Sequence, residues 1–202
     1  MKKVLSPSLK PHKTAQQAQG KQKLISDLEA HISLDNLEKK HKEDILQFLR
    51  ESENNFDRSN LKGHITGSSW LLNKDKTKVL LNHHRKLNRW MNFGGHADGE
   101  TDILAVAIKE TQEESGFTDV FPVQEAIFDV DVHTIPDKAT KGEPEHLHYD
   151  IRYLLWTPEE DFSVTHESIN LKWVDIDEAA KILKADSLVR MIEKWRKIKN
   201  GQ

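Results

Sequence analysis

The spacing of hydrophobic residues changes along this chain and predicts helices first and strands afterwards. Residues 21–52 keep a helical spacing, which predicts a helical hairpin whose second helix is capped by Ser33 or Asp35. The apolar face of this hairpin consists of Leu24, Ile25, Leu28, Ile32, Leu37, Ile45, Phe48 and Leu49. The segments His64–Leu72 and Lys78–His84 flank a polar turn, so they predict a β-hairpin.

Alternating apolar and polar residues return in the second half of the chain and predict further strands. The clearest are Glu125–Ile135 and His146–Trp156, joined by a loop at Pro136–Pro144. The elements after them are a strand at Leu171–Ile176, a helix from Asp177 to Leu183 and a last helix from Ser187. Strands interspersed with helices favour an α/β fold.

Between the two groups of strands, the stretch Phe93–Phe117 predicts one helix with an unusual face. The helix begins at Thr101 or Asp102, whose short side chains suit an N-cap, and ends at Gly116. At about 100° per residue, its apolar stripe runs directly into three carboxylates. The stripe is Ile103, Val106 and Ala107, followed by Glu110, Glu113 and Glu114.

The pattern alone leaves two interpretations of these acids open. A solvated acidic face is common on helices, but like charges one turn apart repel by about 0.2–0.5 kcal/mol. Bound divalent cations offset that repulsion, and Mg²⁺ takes carboxylates, waters and substrate phosphates as ligands. The second interpretation predicts a site for a substrate that contains phosphate.

Composition narrows the range of functions. The chain has 202 residues and a net charge of −3, which disfavours general nucleic-acid binding. It has no Cys, which excludes disulfides, a thiolate zinc site and a cysteine nucleophile. No apolar run reaches the roughly 18 residues of a membrane span, and no secretory signal is visible, so we expect a cytoplasmic protein. Composition also predicts a flexible tail at residues 1–20, a helical extension at 21–58 and one main domain at 59–202.

The stretch around the acids resembles the Nudix box, G-x(5)-E-x(7)-R-E-U-x-E-E-x-G-U, in which U is a bulky aliphatic residue. Counted from Gly95, the matching positions are Lys109-Glu110, Glu113-Glu114 and Gly116. The departures are Lys109 for Arg, Thr111 for the first U, and Thr101 for the early Glu, with Glu100 one residue before it. Lysine cannot make the two-pronged contact of arginine with a carboxylate, which affects how the loop is braced. The longer stretch His64–Phe117 is similar to a Nudix subgroup whose box opens with Gly-Gly-His.

The resemblance implies a Nudix fold over residues 59–202, an α/β/α sandwich with a mixed sheet, and a hydrolase that breaks phosphorus-containing anhydrides. It implies metal ligation chiefly by Glu110 and Glu114, with Glu113 also in the shell and the Gly95 carbonyl completing it. The same three acids are the implied catalytic residues. The implied cation is Mg²⁺ or Mn²⁺, and a homodimer is common in the family.

Residues outside the box extend the predicted site. The general base varies in the family and is either a box Glu or a downstream acid. Outside the box the candidates are Glu145 and Glu167, each of which is otherwise an ordinary acid in a surface loop. An acid just before the strand at Leu171 recurs in related sequences, which favours Glu167. Arg85 and Lys86 precede the box and predict either phosphate contacts or a solvated basic loop.

Three histidines also carry more than one interpretation. A neutral imidazole can contact phosphate or bind a transition metal, and it can equally be an ordinary hydrogen-bonded side chain. The histidines in question are His96, His146 and His148, and the last two share one face of a strand.

Three functions fit these residues. We expect a Mg²⁺-dependent pyrophosphohydrolase acting on a small nucleotide, a nucleoside diphosphate linked to another group as in nucleotide-sugars or ADP-ribose. The second is a Nudix enzyme acting on nucleoside triphosphates, capped RNA or inositol diphosphates. The third is a non-catalytic ligand-sensing module, suggested by the departures at Lys109, Thr101 and Thr111 but disfavoured because the acids remain. An isoprenyl diphosphate isomerase is disfavoured because its chemistry uses Cys.

Overall fold

The structure, a computed structural model, describes residues 11–137 and 144–201, with side chains from residue 15 onward. Its elements are α1 (Pro11–Ala30), α2 (Asn36–Glu51), β1 (Gly63–Leu72), β2 (Lys78–His84), β3 (Arg89–Met91), β4 (Phe93–His96), α3 (Ile103–Ser115), β5 (Phe121–Pro122), β6 (Asp129–Ile135), β7 (His146–Trp156), β8 (Ser168–Asp175), α4 (Ile176–Ile182) and α5 (Asp186–Lys199). Within these described ranges, no helix combines the length and the apolar character that crossing a membrane requires.

A single mixed sheet of eight strands organises the described residues. Strand β1 runs parallel to β7 along its whole length and antiparallel to β4. Strand β2 pairs with β8 and β3, while β5 and β6 both pair with β7. The predicted hairpin of β1 and β2 therefore forms, but only Leu72 and Val79 are paired in it. Beyond this pair, each strand pairs with other strands of the sheet.

The two faces of the sheet bury different hydrophobic clusters. Because side chains alternate along a strand, Ile65 and Leu71 of β1 face one side, and they pack with α1, α2 and α3. Trp70 and Leu72 face the other side and pack with α4 and α5. Helices on both faces of a mixed sheet confirm the predicted α/β/α sandwich, and α1 and α2 share its core.

Helix α3 has the ends that the sequence predicts. The side chain of Asp102 accepts a hydrogen bond from the Ala105 N–H, which caps the first turn. Gly116 closes the helix with φ of +79°, a left-handed conformation that favours glycine. The stripe of Ile103, Val106 and Ala107 is buried against the sheet, so the carboxylates that follow it approach β4.

The N-terminal segment differs from its prediction. Helix α1 begins at Pro11, so residues 11–20 are helical where the sequence suggested a flexible tail, and residues 1–10 of that tail lie outside the described residues. The helix ends before Ile32 because the ring of His31 turns inward to Glu38 Oε1, at 2.7 Å, and to the Ile127 carbonyl. Ile32 is consequently exposed rather than part of the apolar face, and Leu37 is exposed as well.

Other boundaries shift by a few residues. Asp35, one of the two predicted caps, is the N-cap of α2. Helix α4 starts at Ile176 with Asp175 in the cap position, so Asp177 lies in its first turn instead of capping it. Strand β6 begins only at Asp129, and most of the loop at Pro136–Pro144 lies outside the described residues.

Candidate active site

Glu114 is the buried centre of the acidic group on α3. Glu114 is only 9% exposed. Asn82 Nδ2 donates to Glu114 Oε2 at 2.7 Å, and the Gly94 N–H donates to Oε1 at 3.2 Å. Burial raises the pKa of Glu114 to about 7; the charges of Glu110 and Glu167 add to this rise, and the two hydrogen bonds oppose it. The carboxylate is therefore held firmly but carries its charge at a cost that a cation would relieve.

Glu110 approaches the backbone of β4 more closely than most side chains approach a strand. A Cβ placed on Gly95 would lie 2.2 Å from Glu110 Oε2, so only glycine leaves room for this carboxylate. Burial raises the pKa of Glu110, and the Lys109 ammonium opposes that rise. The structure thus brings Glu110, Glu114 and Gly95 together, as the resemblance implies.

Glu113 does not share the buried face with the other two acids. Its side chain is 59% exposed, and Thr111 occupies the buried position beside Ser69. Lys109 Nζ lies 3.2 Å from Glu110 Oε1 and 3.1 Å from Glu113 Oε2, bridging the acids along the outside of the helix. The predicted continuous stripe is wrong at Glu113, because this position falls at the edge of the stripe and pairs with Lys109 one turn earlier.

Arg85 and Glu167 lie on neighbouring loops that the structure ties together. The Arg85 guanidinium donates to the carbonyls of His166 and Ser168, at 2.9 and 2.7 Å. The backbone N–H of Arg85 donates to the Glu167 carbonyl at 2.8 Å. Glu167 is exposed, and its charge raises the pKa of Glu114, so it lies beside the acidic group. Arg85 therefore braces the loop that carries Glu167; phosphate binding by Arg85 and by exposed Lys86 stays a prediction.

Glu145, the other predicted general base, is exposed and directly precedes His146 at the start of β7. That end of β7 belongs to a separate group of histidines, described next. The position of Glu167 near Glu114 therefore favours Glu167 over Glu145 as a base.

The predicted histidines His96, His146 and His148 lie together with two more, His64 and His133. The ring centroid of His64 is 4.9 Å from that of His96, 5.0 Å from that of His146 and 4.8 Å from that of His148. The His133 and His148 rings are 5.4 Å apart. These residues, called the histidine cluster below, are His64, His96, His133, His146 and His148.

The histidine cluster lies on the opposite face of the sheet from α3. A Cβ on Gly95 would point at Glu110 of α3, whereas one on Gly94 would point at Ser68. Strand alternation places His96 on the Gly94 side, and His64 lies on the same side of β1 as Ser68. Strand β4 thus separates the acids from the histidines.

Burial favours the neutral form of three imidazoles of the cluster, those of His64, His96 and His148. It lowers the pKa of His64, that of His96 to about 4 and that of His148 to about 2, and neighbouring histidines lower these values further. Neither ring nitrogen of His64 makes a hydrogen bond of normal geometry, and His148 Nε2 is also buried without a partner. The Asn60 backbone lies close enough to His64 to raise its pKa slightly, against the larger effect of burial, without satisfying the ring.

Three residues of these groups escaped the sequence analysis: Asn82, His64 and His133. Asn82 stands between apolar residues and a histidine pair in β2, and a polar residue in a buried strand was the signal for it. His64 is the second residue of β1 and His133 lies in β6, and only the strand registers, which pair each of them with His148, place them in the cluster.

The acidic group fits a divalent cation. Carboxylate oxygens are the ligands that Mg²⁺ and Mn²⁺ prefer, and Glu110 and Glu114 present them with raised pKa values next to the glycine backbone of β4, where the missing Cβ of Gly95 leaves room for the Glu110 carboxylate. The Gly95 carbonyl is positioned on the same strand segment. Glu113 is exposed at the rim, where a more outward ligand would lie.

Comparison with known proteins agrees with this geometry. The family model described as NUDIX domain matches residues 64–195, which is most of the chain. The chain belongs to the Nudix family. This membership confirms the predicted family and the predicted enzyme class, a hydrolase of phosphorus-containing anhydrides.

Two curated relatives and two solved structures illustrate the similarity. A probable DHNTP pyrophosphohydrolase of Lactococcus lactis is 31% identical over 138 residues, 68% of this chain and 80% of the relative. A Caenorhabditis elegans asymmetrical bis(5'-nucleosyl)-tetraphosphatase is 27% identical over 54% of this chain and 74% of its own. A structure of a C. elegans Ap4A hydrolase binary complex has a TM-score of 0.52 at 20% identity, covering 68% of this chain and 98% of its own. The structure of the E. coli dihydroneopterin triphosphate pyrophosphohydrolase has a TM-score of 0.52 at 18% identity, and the match covers 64% of this chain and 92% of that one. Both structures support the fold alone.

Proposed function

We propose that this Nudix protein is a divalent-metal-dependent pyrophosphohydrolase that cleaves a phosphoanhydride of a small nucleotide. The observation that carries the proposal is that Glu110 and Glu114 both approach the backbone of Gly94 and Gly95, with Asn82 and Gly94 fixing the Glu114 carboxylate. Glu110, Glu114 and the Gly95 carbonyl would hold Mg²⁺ or Mn²⁺. When bound, that cation neutralises phosphate oxygens and lowers the pKa of a water.

The chain's own residues supply the rest of the chemistry. Glu167 is our candidate general base, since it is exposed beside Glu114 and free to accept a proton from an attacking water. Arg85 fixes the loop on which Glu167 stands by donating to the carbonyls on either side of it. Lys109 screens the repulsion between Glu110 and Glu113.

The substrate has two candidate classes. The first is a nucleoside diphosphate linked to another group, as in nucleotide-sugars or ADP-ribose, which the sequence analysis favours. The second is a triphosphate or a dinucleoside polyphosphate, and the names of the two curated relatives favour it. Cytoplasmic location and a homodimer stay predictions.

A substrate panel with Mg²⁺ and Mn²⁺ tests the proposal. Nucleotide-sugars, ADP-ribose, nucleoside triphosphates and dinucleoside tetraphosphates are incubated with the purified chain, and phosphorus NMR identifies the bond that breaks. We expect turnover of one class that stops when EDTA removes the metal. Nucleotide binding in calorimetry without turnover in either metal would contradict the proposal.

A matched pair of variants then assigns the site. Glu114→Gln should lower kcat/KM at least about 100-fold, because even outer-shell partners of a metal contribute roughly 10–100-fold. Glu193→Gln makes the same change at an exposed position of α5 and should leave turnover unaltered. Equal activity of the two variants would remove Glu114 from the site.

A further inference from the structure

The histidine cluster has a chemistry that the phosphoanhydride reaction does not use. Its imidazoles lie on the face of the sheet opposite the acids, and they contribute no oxygen ligand for Mg²⁺. Three of them, His64, His146 and His148, each offer a ring nitrogen such that all three atoms lie within 4.8 Å of one another. Neutral imidazole nitrogen is a ligand for Zn²⁺, Ni²⁺, Co²⁺ and Cu²⁺ rather than for Mg²⁺.

The hydrogen-bond partners of His146 and His148 leave a ring nitrogen of each available to a metal ion. His146 Nδ1 lies 2.8 Å from the Pro144 carbonyl, and donation to that oxygen leaves Nε2 unprotonated. A backbone carbonyl that fixes the tautomer in this way is the usual outer partner of a metal-binding histidine. His148 Nε2 is buried without a partner.

The burial of His64 is the feature that an ordinary cluster of hydrogen-bonded histidines does not explain. The residue is only 3% exposed, and neither of its ring nitrogens makes a normal hydrogen bond. A buried polar group without a partner costs about 1–3 kcal/mol. Rings that stabilise a fold by hydrogen bonding satisfy at least one nitrogen, as His31 does through Glu38 and the Ile127 carbonyl.

We propose that His64, His146 and His148 form a second metal site, selective for a transition-metal dication of the Zn²⁺ type. In a tetrahedral zinc site with ligands at 2.0–2.1 Å, nitrogen atoms lie about 3.4 Å apart, so the rings close by at most about 1.4 Å. The broad ring torsions of histidine supply such a movement without moving β1 or β7. His96 lies beside these three residues, with its ring centroid 4.9 Å from that of His64 and 5.0 Å from that of His148.

Calorimetry on the tag-free, EDTA-stripped full chain tests this site with zinc chloride and cobalt chloride as the probes. We expect the wild type to bind Zn²⁺ with a rise in Tm, and to give with Co²⁺ the visible absorption of tetrahedral nitrogen coordination. His146→Asn, at a half-buried position, should weaken Zn²⁺ binding at least about 10-fold and abolish the cobalt band. His166→Asn, at a side chain that is 92% exposed, is the matched control and should retain both.

A variant of the acidic group distinguishes the proposed zinc site from the proposed magnesium site. Glu110→Gln together with Glu114→Gln should leave Zn²⁺ affinity and the cobalt band unchanged, whatever happens to turnover. If His64→Asn, at the fully enclosed position, does not fold by circular dichroism, His146→Asn and His148→Asn carry the test. Zn²⁺ binding and a cobalt band that persist in both of these variants, or that disappear with the acids, would overturn the proposal.

Discussion

The acids and the histidines lie on opposite faces of one short strand, and burial acts on them in opposite directions. On the α3 side, burial raises the pKa values of Glu110 and Glu114. On the other side, it lowers those of His64, His96 and His148. In both places the neutral form gains because charge is costly away from water. The same effect, burial, therefore has two consequences. It makes the charge of the carboxylates costly, so that a hard cation would stabilise them, and it keeps imidazole lone pairs available for a softer cation.

The two regions also differ in how they are held. Glu114 receives hydrogen bonds from Asn82 and Gly94, so its carboxylate has a fixed position before any cation binds. His64 receives no comparable pair of hydrogen bonds; the Asn60 backbone lies nearby, and neighbouring rings pack around it. The acidic group is thus positioned by donors, and the histidine cluster by shape.

The largest expected effect that sharpens this comparison comes from Gly95→Ala. Its Cβ would meet Glu110 Oε2 at 2.2 Å and Cδ at 2.4 Å, and the flexible carboxylate would have to leave the site. Because a misplacement of about 1 Å can cost about 100-fold, we expect a comparable loss of kcat with little change in Tm. Steady-state kinetics and thermal melts measure the two quantities.

Gly94→Ala is the contrasting variant, since its Cβ would meet the Ser68 backbone Cα at 2.8 Å. Strand backbone cannot yield as a side chain does, so this change should lower Tm clearly. If Gly95→Ala loses stability as much as Gly94→Ala does, the distinction between the two faces of β4 is wrong.

The next effect is a pH dependence of opposite sign at the two regions, measured as the free energy of unfolding in metal-free buffer. The folded pKa of Glu114, about 7, exceeds its usual 4.5, so its contribution falls as pH rises from about 4.5 to 7. The folded pKa of His148 lies below its usual 6.5, so its contribution is present above that pH and is lost as pH falls below it. Each slope is at most about 1.4 kcal/mol per pH unit.

Urea titrations at several pH values of wild type, Glu114→Gln and His148→Asn separate the two slopes. Between pH 5 and 7, the difference from wild type should change in opposite directions for the two variants. Glu193→Gln serves again as the control with no change of slope. Slopes of the same sign in both variants would contradict the assignment.

Much of the acidic site could be predicted from the sequence. For the histidine cluster, three of the five residues could be singled out, but their assembly with His64 and His133 could not. The box keeps its register over neighbouring residues, so a single helix is enough to bring Glu110 and Glu114 together. His64 and His148 are far apart in the chain, and they meet only because β1 runs parallel to β7. Spacing within one segment cannot reveal a parallel partner that arrives after a long crossover.

One misassignment and one open prediction have similarly local causes. Glu113 satisfied the helical period approximately, but Lys109 one turn earlier gives it an exposed partner. Arg85 was predicted either to contact phosphate or to lie in a solvated loop; its guanidinium donates to two backbone carbonyls across a loop, and phosphate binding stays a prediction. Charge and spacing predict what a side chain is able to do, and the tertiary contacts decide among these uses.

The smallest expected effect concerns Lys109, the residue that departs from the box. Its side chain is 62% exposed, and exposed ion pairs contribute about 0–1 kcal/mol. Lys109→Met should therefore lower the free energy of unfolding by less than about 1 kcal/mol, as measured by urea titration. Lys109→Arg, which restores the residue of the box, should have a free energy of unfolding equal to or above that of the wild type. A large loss of stability in Lys109→Met would mean that the ion pairs of Lys109 organise the acids.

Strand β4 contains only four residues, and both proposed metal sites lie beside it, with Gly95 in the acidic group and His96 next to the three histidines. If a cation on one side shifted this strand, the fit available to a cation on the other side would change. Thermodynamic reciprocity requires the effect to be mutual, so that any factor by which zinc alters magnesium affinity must reappear when the order of addition is reversed. A protein with this arrangement would read the ratio of two metals in its surroundings through a single piece of backbone.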